Sequence, residues 1–143
     1  MPSQITAADL YITGNVTAGG TIQANYSDLA EWFLCDSIVK VGEPVSIVGL
    51  RRVGKYNGKG YAGIKSHNPG LTMGGEMKTG ILVALIGSVP VLTKDDTINV
   101  GDTLILTKKG IIKKKWYHFK YQYIGISQEK YKKDKVICLV GVK

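Results

Sequence analysis

"GILVALIGSVPVL" (residues 80–92) is the stretch around which the rest of the chain has to fold. It is too apolar to face water on either side, yet far short of the roughly 20 residues a membrane-crossing helix needs. Rich in β-branched residues and ending in a Val-Pro-Val-Leu run, it predicts a central strand covered on both faces.

Working outward, the flanking segments also read as strands. "VKVGEPVSIVG" (39–49) and "INVGDTLILT" (98–107) share the form Val-Gly-acid-x-apolar-x-apolar, a glycine-permitted turn used twice to launch a strand. "KYNGKGYAG" (55–63) carries Asn57-Gly58, a hairpin signal between its neighbours. "HNPG" (67–70) and "TKKG" (107–110) read as turns. "KKKWYHFKYQYIGIS" (113–127) alternates Trp116, His118, Lys120 and Gln122 with Tyr117, Phe119, Tyr121 and Tyr123, which predicts a strand with one aromatic side. "KVICLVGVK" (135–143) closes the sheet. About nine short strands with turns every 8–12 residues describe an all-β head, a compact barrel or sandwich over residues 26–143.

The N-terminal part, "LYITGNVTAGGTIQANYSDLAEWF" (10–33), is thinner. Leu10, Ile12, Val16 and Ala18 share one parity, and Gly14, Gly19 and Gly20 interrupt the alternation. A lone ribbon of this kind has little to bury. Residues 1–25 are therefore expected to form an intertwined stalk in which Leu10, Ile12, Val16 and Ile22 of each copy cover a neighbour. "YSDLAEWF" predicts one short helix: Ser27 or Asp28 can cap it, and Leu29, Trp32 and Phe33 fall at i, i+3 and i+4. Those three residues would anchor the stalk to the head.

Composition narrows the function classes. At 143 residues the chain suits one domain with an appendage. The N-terminus lacks the basic-then-apolar pattern of a secretory signal, so Asn15-Val16-Thr17 and Asn25-Tyr26-Ser27 match the glycosylation triplet by chance. Cys35 and Cys138 sit in apolar surroundings and predict two buried thiols. The net charge of +8 is uneven. Residues 1–50 hold Lys40 against five carboxylates, a balance of −4, whereas residues 104–143 hold eleven lysines against Glu129 and Asp134, a balance of +9. Lys108, Lys109, Lys113, Lys114, Lys115, Lys130, Lys132 and Lys133 form the expected basic surface, which would project outward or meet an acidic partner.

No set of residues carries enzyme chemistry. "GLRRVGKY" (49–56) approaches a phosphate loop, but Tyr56 stands where a Mg²⁺-binding hydroxyl is required and a glycine-rich turn follows in place of a helix. His67 and His118 lack acidic or thiol partners at useful spacing, and Asp95-Asp96 reads as a turn. Catalytic residues, a metal site and a cofactor are accordingly not expected. Lys113 to Lys115 before a run of aromatics has the composition of a single-stranded nucleic-acid binder. The alternation favours a packed aromatic face instead, so nucleic acid ranks as the lesser reading.

In their order, "YITGNVTAGGTIQANYSDLAEWF", "VGEPVSIVG", "KSHNPGLTMGG", "VALIGSVPVLT" and "INVGDTLILT" resemble the C-terminal domain of bacteriophage tail spikes and fibres, the autoproteolytic intramolecular chaperone. The matching positions are Ser27 to Trp32, Val41 to Glu43, Asn68 to Gly70, Val83 to Val91, and Val100 to Asp102. The resemblance covers roughly residues 10–107 and fades in the Lys/Tyr-rich tail. It implies a homotrimer and a virion location after assembly in the bacterial cytoplasm; a membrane partner is not expected, because no apolar run reaches spanning length. In the family a long receptor-binding body precedes the domain and cleavage releases it. Here about 25 residues precede the expected helix, and Ser27-Asp28 and Asp36-Ser37 are cleavage candidates by residue type alone. The expectation is thus a permanent virion part, a head-fibre, tail-fibre or capsid-decorating protein docking on other virion proteins through Met1 to Ala8. A self-cleaving trimerisation chaperone is the first alternative and a single-stranded nucleic-acid module the second.

Overall fold

A computed structural model of the chain describes residues 11–21, 23, 27–118 and 120–141. Ten strands follow one another: β1 Asp28–Cys35, β2 Pro44–Gly49, β3 Arg52–Lys55, β4 Tyr61–Lys65, β5 Leu71–Met73, β6 Gly80–Leu92, β7 Thr103–Thr107, β8 Gly110–Lys113, β9 Gln122–Ser127 and β10 Lys135–Val140. The described residues contain no helix, and the all-β class with a compact barrel head is what the chain adopts.

Five strands close on themselves. β1 pairs with β3, β3 with β2, β2 with β4, β4 with β6, and β6 returns to β1. Phe33, Cys35, Val45, Val53 and Val83 fill the barrel. The second half of β6 carries β10, then β9, β7 and β8, as an outer sheet. Between that sheet and the barrel wall lies a larger core, where Ile64 and Ala84 of the wall meet Val89, Leu104, Ile124 and Val136.

β6 serves both cores, which accounts for its apolar character on both faces. Val83 points into the barrel and Ala84 into the second core. Its ladder with β1 then skips Leu85: Leu29 lies opposite Ile86, but Ala30 lies opposite Ala84. Such a bulge moves every later side chain to the other face. Val89 and Val91 consequently enter the second core. Gly87 follows at φ +116, opposite both Asp28 and Val140, and a Cβ there would stand 2.1 Å from the Ser27 carbonyl oxygen. Only glycine fits so close an approach.

The repeated Val-Gly-acid device is real. Gly42 and Gly101 both have positive φ, at 87° and 83°. Glu43 accepts a hydrogen bond from the Lys40 N–H (2.9 Å) and Asp102 from the Asn99 N–H (2.8 Å), three residues back in each case. β2 and β7 start immediately after. The TKKG turn also forms as expected, with Thr107 opposite Gly110 in the β7–β8 hairpin.

Three expectations are corrected. "YSDLAEWF" is not a helix; Asp28–Cys35 is β1. A helix of eight residues is marginal by itself, whereas β6 on one edge and β3 and β5 on the other supply backbone partners along the whole segment. β3 and β4 do not pair through Asn57-Gly58, because β2 lies between them. The 56–60 loop crosses over β2, held by the buried Ser46 hydroxyl, which donates to the Lys59 carbonyl (2.6 Å) and accepts from the Asn57 N–H (3.2 Å). The 113–127 segment is not one strand. β8 ends at Lys113, residues 114–118 and 120–121 are loop, and β9 begins at Gln122.

Candidate assembly surface

Residues opposite each other across a ladder share a face. Leu29 of β1 lies opposite Leu71 of β5 on one edge and Ile86 of β6 on the other. Leu71 is 61 % exposed and Ile86 46 %, with Leu29 half-buried between them. Further along, Ser88 lies opposite Leu139 and Leu139 opposite Ile126. The row thus crosses five strands, from β5 through β1, β6 and β10 to β9. It adjoins Ser27, where the N-terminal ribbon meets the head.

Within the ribbon, Tyr11, Ile12 and Val16 are exposed and belong to no strand. Leu10 and Ile22 lie outside the described residues, as do Met1 to Ala8. Of the three anchors expected at the junction, Leu29 lies in the apolar row and Trp32 is half-buried. Phe33 points into the barrel and is part of the head's own core.

The junction also holds a buried carboxylate. Asp28 is 6 % exposed and accepts a hydrogen bond of 2.7 Å from the hydroxyl of Ser66, itself buried. The Ser27 carbonyl just before it accepts from the Ser88 N–H at 3.4 Å. At the other candidate cleavage pair, Asp36 is exposed and ion-paired with Arg52.

No family model matches the chain, and no curated protein matches it. Among solved structures it is similar to the pre-mature gene product 12 of bacteriophage phi29, with a TM-score of 0.66 and 16 % identity over 92 % of this chain. The match covers 24 % of that protein, so the chain spans about a quarter of its length. At that identity the likeness shows a shared fold.

The lysines separate into different settings. Lys108 and Lys109 stand exposed at the β7–β8 turn, Lys114 and Lys115 in the following loop, and Lys130, Lys132 and Lys133 on the far turn before β10. Lys113 is instead a structural residue: its ammonium pairs with Asp102 at 2.8 Å, and its N–H donates to Asp95 at 2.9 Å. Partial burial pushes the Asp102 carboxyl up, but the Lys113 ammonium and the Asn99 N–H outweigh it and hold the group below the ordinary carboxylate value. Burial pushes Asp95 up as well. The Thr97 hydroxyl and the Lys113 and Thr97 N–H groups prevail and bring it down. Among the described residues no group of three or more His, Cys, Asp or Glu is placed to hold a metal ion. The apolar row escaped sequence reasoning because its members sit in five strands and only register brings them together.

Proposed function

We propose that the chain is a structural protein of a bacteriophage particle, a head-fibre, tail-fibre or capsid-decorating part. It assembles as a homotrimer around its N-terminal ribbon. The fold it shares with a segment of a bacteriophage protein is the observation that supports this reading most directly. The apolar row beside Ser27 supports the trimer: it lies where the chain enters the head, and Tyr11, Ile12 and Val16 of the ribbon are exposed as well, so a second copy would have apolar surface to cover on both. The ribbon's first residues would attach to other virion proteins.

Light scattering tests this. The full chain should have three times the mass of the 15.5 kDa protomer, and removal of residues 1–25 should shift it toward the monomer. Replacing Leu71 and Ile86 with Ser removes two half-exposed apolar side chains, roughly 1 kcal/mol each per interface once buried. Over three interfaces this sums to about 6 kcal/mol and raises the concentration at which trimers form about a hundredfold. A monomeric full chain at all concentrations refutes the assembly.

The buried Asp28 favours a second reading, self-cleavage between Ser27 and Asp28. An Asp28 carboxylate oxygen attacking the Ser27 carbonyl carbon closes a six-membered ring. The C–N bond breaks as the Asp28 nitrogen takes a proton, leaving a mixed anhydride between the Ser27 acyl group and the Asp28 carboxyl. Water then hydrolyses the anhydride and restores the carboxylate. The measurement is the intact mass after incubation under assembly conditions: a product beginning at Asp28, lost in Asp28→Asn, supports cleavage, and an unchanged mass removes it.

A further inference from the structure

The loop between β8 and β9 places aromatic rings in solvent where the sequence pattern had predicted a packed strand face. Trp116 is 83 % exposed, Tyr117 50 % and Tyr121 48 %. They form one connected run of edge contacts: Trp116 to Tyr117 with ring centroids 5.6 Å apart, Tyr117 to His118 at 4.5 Å, and His118 to Tyr121 at 5.0 Å. Edge contact leaves ring faces open. The edge contacts hold the rings together, but their exposed faces add no packing to the core.

The run leads into a groove of about 650 Å³ between this loop, the β7–β8 turn and the 56–60 loop. Tyr121, Lys120, Lys108, Lys59 and Tyr56 are among its walls, and none of the described residues lining it is acidic. A second groove adjoins it and shares Tyr56, Leu106, Thr107 and Lys108. The carboxylates there are already engaged, Glu43 with Lys55 at 3.8 Å and Asp134 with Lys94 at 2.9 Å. Lys108 and Lys109 at the meeting point carry no ion pair among the described residues. The path therefore combines unneutralised cations with open aromatic faces, an arrangement that attracts a flexible polyanion carrying flat rings.

We infer that this path binds single-stranded nucleic acid without sequence preference. Lys59, Lys108, Lys109 and Lys120 contact successive phosphates, and Tyr121 and Trp116 receive stacked bases. Of the lysines first grouped by sequence, Lys113 takes no part, because Asp102 occupies it. An anionic glycan would also satisfy the lysines and can lay its sugar C–H faces on the rings, but a base presents a larger flat π-face to Trp116 and Tyr121, which favours the nucleic acid.

The test is fluorescence anisotropy of the full chain with a labelled oligothymidylate of about 12 nucleotides. Binding should weaken with salt, log K falling against log salt with a slope of about −3 for four phosphate contacts on a single strand. Lys108→Ser with Lys120→Ser should flatten that slope by about 1.4. Trp116→Ala and Tyr121→Ala should each weaken binding about tenfold at fixed salt while leaving the slope unchanged. Lys113→Ser should leave the slope unchanged too. All of these side chains except Lys113 are exposed, and thermal melting of each variant checks that the fold is kept. Absence of binding at low salt overturns the inference. So does tighter binding of heparin than of the oligothymidylate at matched salt, which would make the path an anionic-glycan site.

Discussion

Gly87→Ala strikes the point where the barrel and the outer sheet join. Two costs follow from the geometry. The residue sits at φ +116, which an L side chain adopts at about 1–2 kcal/mol. The new Cβ would also lie 2.1 Å from the Ser27 carbonyl oxygen and 2.6 Å from the Asp28 Cα, both backbone atoms of a paired strand. Relief requires β1 to move away from β6 by about 1 Å, an overpacking cost of about 1–3 kcal/mol. The expected loss is therefore about 2–5 kcal/mol. Gly58→Ala is the control, because it has similar strain, φ +98, but nothing within 4 Å of the added Cβ. It should lose only the strain, about 1–2 kcal/mol. Urea unfolding at one protein concentration measures both. Losses within 1 kcal/mol of each other, with unchanged m, would refute the claim that β1 closes tightly on β6 at the bulge.

Three further outcomes follow from the polar and thiol groups. Ser66→Ala leaves the buried Asp28 carboxylate without its hydroxyl donor and should cost about 2 kcal/mol in thermal or urea unfolding; a neutral result would mean that Asp28 finds water or another donor. Burial pushes the Cys138 thiol up to about 12, so the thiolate is scarce at neutral pH. Iodoacetamide should modify Cys138 only after unfolding, and mass spectrometry showing rapid native labelling would contradict its place in the core. Asp95 has a lower pKa folded than unfolded, so its contribution is complete above the unfolded carboxylate value of about 3.9 and disappears as the pH falls through the folded one. Asp95→Asn should cost about 1 kcal/mol at pH 7. That gap should close in strong acid, and a gap persisting there would assign the effect to packing rather than charge.

What local chemistry dictates was legible in the chain. The 80–92 segment announced a central strand by its composition; Val83 and Ala84 are covered on opposite faces, whereas Ile86 stays 46 % exposed. The paired Val-Gly-acid turns announced β2 and β7, because glycine at positive φ and a carboxylate reaching three residues back are properties of a few adjacent residues. The apolar settings of Cys35 and Cys138 likewise foretold their burial. Three features depended on partners distant in sequence. Asp28–Cys35 has a helix-like spacing of Leu29, Trp32 and Phe33, and becomes a strand because β6, β3 and β5 offer hydrogen bonds on both edges. The aromatic residues of 116–121 alternate in sequence as a packed strand would, but Trp116, Tyr117 and Tyr121 lie in a loop and stay in solvent. The row from Leu71 to Ile126 exists only because the bulge at Leu85 and Ile86 sets which face each later residue takes. Sequence by itself determined the class of structure and where most turns fall, since backbone freedom and apolar content act over a few residues. Tertiary structure alone decided strand partners, register and which side chains meet, because those depend on hydrogen-bond ladders between segments far apart along the chain.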